Sequence, residues 1–129
     1  MQKIVNIIRQ QLPDVKAIYL FGSVVSGLSN KDSDVDIAIL PNKALSSIER
    51  WQIAEEIAYT LKKDIDLIDL RQASTVLQFQ IISTGTCIYS SDNYNQNIFE
   101  DFVYASYIRF NDERKDLLKD IQQRGRIYD

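Results

Sequence analysis

The chain has one cysteine, Cys87, two prolines, Pro13 and Pro41, and four glycines in 129 residues. A lone cysteine excludes an internal disulfide and points to an intracellular, cytoplasmic setting. Each proline sits where one periodicity stops and another starts, so no Pro-rich linker offers a place to divide the chain, and no repeat or low-complexity tract is present. No apolar run approaches the roughly 20 residues that span a bilayer, so membrane insertion is not expected. Met1-Gln2-Lys3 does not open a charged-then-apolar leader. Positive charge is short as well. Lys and Arg number 15 against 18 Asp and Glu, a formal charge of −3, which excludes a basic surface made to coat nucleic acid. The composition that remains, 45% hydrophobic and 26% charged, is that of an ordinary globular domain and fits neither wholesale disorder nor a coiled coil. A chain of this size buries about two-thirds of its surface on folding, enough for a core without staples. Residues 1–129 are therefore expected to form a single domain.

Periodicity divides the chain into alternating elements. Ile4, Ile7, Ile8 and Leu12 repeat at helical spacing and predict an opening helix from about Gln2 to Leu12, ended by Pro13-Asp14. Ala17 to Phe21 is an apolar, β-branched and aromatic run halted by Gly22, which suits a strand buried on both faces. Asp34 to Leu40 reads as a second strand, alternating at its start and wholly apolar at its end. From Ala44 to Lys63 the set Leu45, Ile48, Trp51, Ala54, Ile57 and Leu61 predicts a helix with that stripe inward. Ile65 to Leu70 follows as a strand, Ser74 to Ser83 as a helix capped by Gly85, and Thr86 to Tyr89 as a short buried strand holding Cys87 as a packing residue. The stretch from about 93 to 123 reads as a helical segment bent or broken near Asn111, with Phe99, Phe102, Tyr104, Tyr107 and Phe110 taken as core and Arg124, Arg126 and Tyr128 as a frayed end. This alternation predicts an α/β (α+β) domain with helices packed on a small central sheet of about four strands.

The chemistry is concentrated between Phe21 and Asp36. Gly22, four residues, then Gly27-Leu28-Ser29 nearly fits a phosphate-binding P-loop, but Leu28 stands where the phosphate-reaching lysine belongs. Asp32, Asp34 and Asp36 fall at ligand positions one, three and five of a calcium loop, yet Ile37 replaces its glycine and Lys43 its bidentate glutamate. A third reading joins Gly22-Ser23 at a strand end to Asp34-x-Asp36 at the start of the next strand. Residues i and i+2 of a strand share a face about 6.6 Å apart, so both carboxylates can converge on one Mg²⁺. Such an ion completes its octahedron with water and the phosphate oxygens of a nucleoside triphosphate. Gly22 permits close backbone approach, and the Ser23 hydroxyl with nearby N–H groups can hold the phosphate tail. A two-metal site needs a further carboxylate from a neighbouring element. Asp66 is the choice, because flanking Ile65, Leu67 and Ile68 make it a costly place for an unpaired charge. Asp64 reads as a strand-edge residue and Asp69 as a turn residue, with Asp69 as fallback. Gly-Ser, ten residues, Asp-x-Asp arises by chance in roughly one chain of this length in five hundred, which argues against an ordinary solvated loop.

At Gly22, Ser23, Asp34, Asp36 and Asp66 the sequence resembles the DNA polymerase β-like nucleotidyltransferase superfamily. Its short length, Ile65-Asp66-Leu67-Ile68-Asp69-Leu70 and Gly85-Thr86-Cys87-Ile88-Tyr89 look like the minimal nucleotidyltransferase group, and specifically its antitoxins. The resemblance implies a palm-like mixed sheet flanked by helices, two Mg²⁺ ions held by Asp34, Asp36 and Asp66, and ATP as donor with Gly22 and Ser23 at its phosphates. It further implies that Asp34 and Asp36 bridge both ions while Asp66 helps deprotonate the incoming hydroxyl. The implied acceptor is a tyrosine hydroxyl on a HEPN-family (HepT-type) toxin ribonuclease, adenylylated and silenced within a hetero-oligomer. The chain has no histidine, so it lacks the Arg-x4–6-His motif of those toxins and would be the antitoxin. Two alternatives stand beside this: transfer to a small molecule or an RNA end, and a non-enzymatic antitoxin that masks its partner.

Overall fold

The computed structural model describes residues 1–22 and 34–128, with side chains described as far as residue 122. In chain order it contains α1 (Gln2–Gln11), β1 (Ala17–Phe21), β2 (Val35–Leu40), α2 (Ser47–Leu61), β3 (Ile65–Asp69), α3 (Thr75–Thr84), β4 (Thr86–Ser90) and α4 (Asn93–Tyr128). The strands form one sheet in the order β3-β2-β1-β4. β1 pairs antiparallel with both β2 and β4, whereas β2 and β3 run parallel, so the sheet is mixed, as the resemblance implied. No helix among the described residues is long and apolar enough to cross a membrane.

The apolar runs occupy the centre of the sheet. β1 and β2 are buried along nearly their whole length, and β3 and β4, at the edges, are only partly covered. Alternation sends Ile18, Leu20, Ile37, Ile39 and Leu67 to one face, where they meet Ile4 and Ile8 of α1 and Ile53 and Ile57 of α2. Ala17, Tyr19, Ala38, Leu40 and Leu70 point to the other, against Ile81 of α3 and Phe99 of α4. The first turns of α4 are anchored through β1. The Tyr19 hydroxyl donates to Glu100 Oε1 at 2.7 Å and accepts from Gln96 Nε2 at 2.9 Å. Burial, reinforced by Glu100, pushes the Tyr19 phenol far above its ordinary value, so it stays a neutral donor.

Several expectations need correction. α2 begins at Ser47 rather than Ala44, because Ser46 and Glu49 form a reciprocal capping box that fixes its start and contributes about 1 kcal/mol. Its buried residues are Ile53 and Ile57, with Ala54 and Leu61 packed beside them, while Ile48 and Trp51 are 69% and 63% exposed. Those two belong to a second apolar stripe on the solvent side, which spacing merged with the true one. Cys87 is exposed, because β4 is an edge strand rather than a buried one. α4 runs unbroken past Asn111 and on to Tyr128. Phe99 and Val103 pack inward, but Phe102 is 60% exposed, and from Ile108 on nearly every described position faces solvent. Gly85 does end α3, yet in extended conformation, and glycine is required there by crowding. A Cβ would lie 2.5 Å from the Ile81 carbonyl oxygen and 2.9 Å from that of Leu20.

Candidate active site

The sheet topology brings the acidic residues to one end of neighbouring strands. Antiparallel pairing of β1 with β2 sets Phe21 opposite Asp36, and parallel pairing of β2 with β3 sets Asp36 beside Asp66. Asp36 and Asp66 share the parity of Ala38 and Ile68, so both lie on the face covered by α3 and α4, on strands about 4.8 Å apart. Asp34 stands just before β2, which begins at Val35 rather than at Asp34. It is two residues from Asp36, and Val35 is held by its N–H donating to the Asp64 carbonyl at 2.9 Å.

Gly22 closes this site from the end of β1. Its φ is +74°, in the left-handed region that glycine adopts freely. A Cβ there would lie 2.1 Å from Asp36 Oδ2 and 3.0 Å from its Cγ, so the carboxylate occupies the space that only glycine leaves. Gly22 therefore both turns the chain and admits the acid. Ser23, the other half of the motif, lies outside the described residues.

Electrostatics single out Asp36. Partial burial raises its pKa above the ordinary carboxylate value, and the neighbouring charges of Asp66 and then Asp34 raise it further. Three like charges with a half-buried member make a site that gains from a cation. The donor set is oxygen only, which suits a hard ion such as Mg²⁺. Among the described residues no group of three acidic side chains is arranged to hold a metal ion; Mg²⁺ is ordinarily held by one or two carboxylates and keeps water and substrate phosphate oxygens in its shell. The residues present fit such an ion.

Asp66 is exposed, contrary to the expectation of a costly buried charge. Ile65 and Leu67 point to the opposite face, so the apolar neighbours in sequence do not surround it, and the desolvation falls on Asp36 instead. Asp69, the fallback, is 4% exposed and belongs to the other end of β3. It accepts from Leu45 N at 2.8 Å, Arg71 N at 2.9 Å and Gln72 Nε2 at 2.7 Å, and so clasps two connections together. Asp64 is exposed at the start of β3, the strand-edge position expected for it. One positioning residue escaped the sequence reading: Gly85, whose close approach to the Leu20 carbonyl sets the end of α3 beside the Gly22 turn. Glycine after a helix was its only signal, and that signal reads equally as a cap.

A glycine turn at one strand end, facing paired aspartates on the next two strands of a mixed sheet, is the arrangement that the nucleotidyltransferase resemblance implied. The family model described as Polymerase beta, Nucleotidyltransferase matches residues 2–94, and the chain belongs to this family. It is 35% identical over 119 residues to the protein adenylyltransferase MntA of Shewanella oneidensis, covering 92% of this chain and 85% of that relative. A chain in a crystal structure of a toxin–antitoxin with AMP-PNP superposes with a TM-score of 0.84 at 35% identity, over 94% of this chain and 97% of that one. A second, in a complex of a tri-AMPylated Shewanella oneidensis HEPN toxin with MNT antitoxin, gives 0.78 at 33% identity, over 94% of each chain.

Proposed function

We propose that this chain, acting as one minimal nucleotidyltransferase unit, transfers AMP from ATP to a tyrosine hydroxyl of a HEPN-family (HepT-type) toxin. It is thereby the antitoxin of a toxin–antitoxin pair. The observation that carries the reading is the placement of Asp36 between the Gly22 turn and Asp66, which offers a phosphate-accepting turn and a carboxylate pair on one sheet end. The adenylyltransferase relative and the AMPylated-toxin complex supply the donor and the acceptor class.

In this reading Asp34, Asp36 and Asp66 hold Mg²⁺, which when bound neutralises charge on the triphosphate as it moves to the leaving group. Gly22 and Ser23 would hold the phosphate tail and leave the α-phosphorus open to attack. The acceptor hydroxyl enters there, in line with the bond to pyrophosphate. Its oxygen bonds to the α-phosphorus as the bond between that phosphorus and the bridging oxygen breaks, and pyrophosphate departs. The exposed carboxylate of Asp66 can reach an incoming hydroxyl and takes its proton. This reading carries a cytoplasmic location with it, because ATP is the donor.

The test is incubation of the chain and the purified toxin with ATP labelled at either the α- or the γ-phosphate. Label from the α-phosphate alone, lost with Asp34→Ala and Asp36→Ala, is the expected result. Label from the γ-phosphate would make the chain a kinase. No label, with the toxin still inhibited, would make it a masking module. Label on free RNA or a small acceptor would move the activity to that substrate.

A further inference from the structure

Opposite the catalytic end, the sheet carries a cavity of about 540 Å³ between the ends of β2 and β3 and the first turns of α4. Leu40 in its wall is four residues along β2 from Asp36, about 13 Å away. This volume lies within the range of small-ligand sites, roughly 300–1,000 Å³.

Two cations converge on it from either side of the β2 terminus. Lys16 precedes β1 and is fixed through its main chain, donating to the Leu40 carbonyl at 2.8 Å and accepting from Ser91 N at 2.9 Å. The residue as a whole is half-buried, and among the described residues its ammonium has no ion pair or hydrogen-bond partner. Arg71 follows β3, and its Nε donates to the Pro41 carbonyl, which orients the guanidinium and leaves its terminal nitrogens without a partner among the described residues. The lining contains no acidic side chain, and Asn42 and Asn95 add amides. A half-buried lysine and an exposed guanidinium oriented by the Pro41 carbonyl, in one lining without an acidic side chain, make a site that an anion complements. The opposite wall is apolar, formed in part by Phe99 and by Phe102, which is 60% exposed despite its size.

We infer that this cavity binds a small organic anion, one whose phosphate or carboxylate meets Lys16 and Arg71 while an aromatic or aliphatic body lies on Phe99 and Phe102. The site is separate from the catalytic carboxylates, which repel anions unless a cation is present. Both halves of the ligand contribute, so neither inorganic phosphate nor a neutral aromatic alcohol satisfies the cavity.

Titration of the full chain, without divalent metal, by phenyl phosphate, benzoate, inorganic phosphate and benzyl alcohol tests this by amide chemical shifts. Shifts grouped at Lys16, Asn42, Arg71 and Phe102 are expected with phenyl phosphate or benzoate, at affinity at least about tenfold above either fragment. The preferred arm identifies the anionic group. Lys16→Gln and Phe102→Ala, the latter at an exposed position that leaves folding intact, are each expected to weaken binding about tenfold. The Asp34→Asn, Asp36→Asn variant is expected to bind as the wild type does. Loss of binding in that variant, retention in both pocket variants, or absence of shifts at millimolar ligand overturns the inference.

Discussion

Gly22 and Asp36 share one volume: the place where a Gly22 Cβ would sit lies 2.1 Å from Asp36 Oδ2. The glycine is thus tied to the acid across two strands, and the motif's first residue is a steric condition for its last. Gly22→Ala is expected to cost about 1–2 kcal/mol from the left-handed backbone alone. Displacement of the carboxylate lowers adenylyl transfer by about a hundredfold or more. Urea unfolding and initial rates measure the two effects. A variant with wild-type rates would show that the Asp36 position is not critical.

Asp36 holds its proton more tightly in the folded chain than in the unfolded one, through burial and then the charges of Asp66 and Asp34. The folded state therefore binds more protons between the ordinary carboxylate pKa and the raised one, and this group's contribution to stability falls as pH rises through that window. At neutral pH and without divalent metal, Asp36→Asn is expected to melt above the wild type, the gap closing as pH drops into the carboxylate range. Added Mg²⁺ is expected to raise the melting temperature of the wild type more than that of the variant. Thermal melts across pH and Mg²⁺ test both statements.

Asp66 and Asp69 lie on one strand, and their substitutions are expected to behave in opposite ways. Asp66 is exposed, so Asp66→Ala changes stability by no more than about 0.5 kcal/mol while transfer falls about 10²- to 10⁴-fold. Asp69 serves three donors from a buried position, so Asp69→Ala costs roughly 2–4 kcal/mol and leaves the turnover of the folded fraction largely intact. Equal effects of the two on stability would contradict this division.

Trp51, the only tryptophan, is 63% exposed on α2. Its native fluorescence is expected to resemble that of the unfolded chain in wavelength, and Trp51→Ala to alter stability by no more than about 0.5 kcal/mol. A blue-shifted native emission would place it in the core.

The strands were legible because β1 and the end of β2 are buried on both faces and read as unbroken apolar runs, while Asp36 interrupts the pattern where the site begins. That the sheet is mixed came only with the resemblance, and which strands pair came only with the structure, since periodicity carries no register. α2 has two apolar stripes, and spacing alone cannot say which one meets the sheet. Ser46 and Glu49 carried the true helix start in the sequence, but the apolar Ala44 and Leu45 ahead of them concealed it. For the site, Asp34-x-Asp36 followed from strand geometry, and Asp66 does stand beside Asp36, though not for the reason of burial that singled it out. Sequence neighbours stood in for spatial ones, and strand alternation separates the two. Asp69 looked like a turn residue because its three donors come from Leu45, Arg71 and Gln72, a convergence that only the folded chain displays.

The measurement that tests the central claim most directly is the intact mass of the HEPN partner after co-expression with the wild-type chain and with the Asp34→Ala, Asp36→Ala variant. The account predicts adenylate-sized increments with the wild type alone, located on tyrosine, together with loss of the partner's ribonuclease activity. A partner that stays unmodified yet inactive alongside both chains would contradict it.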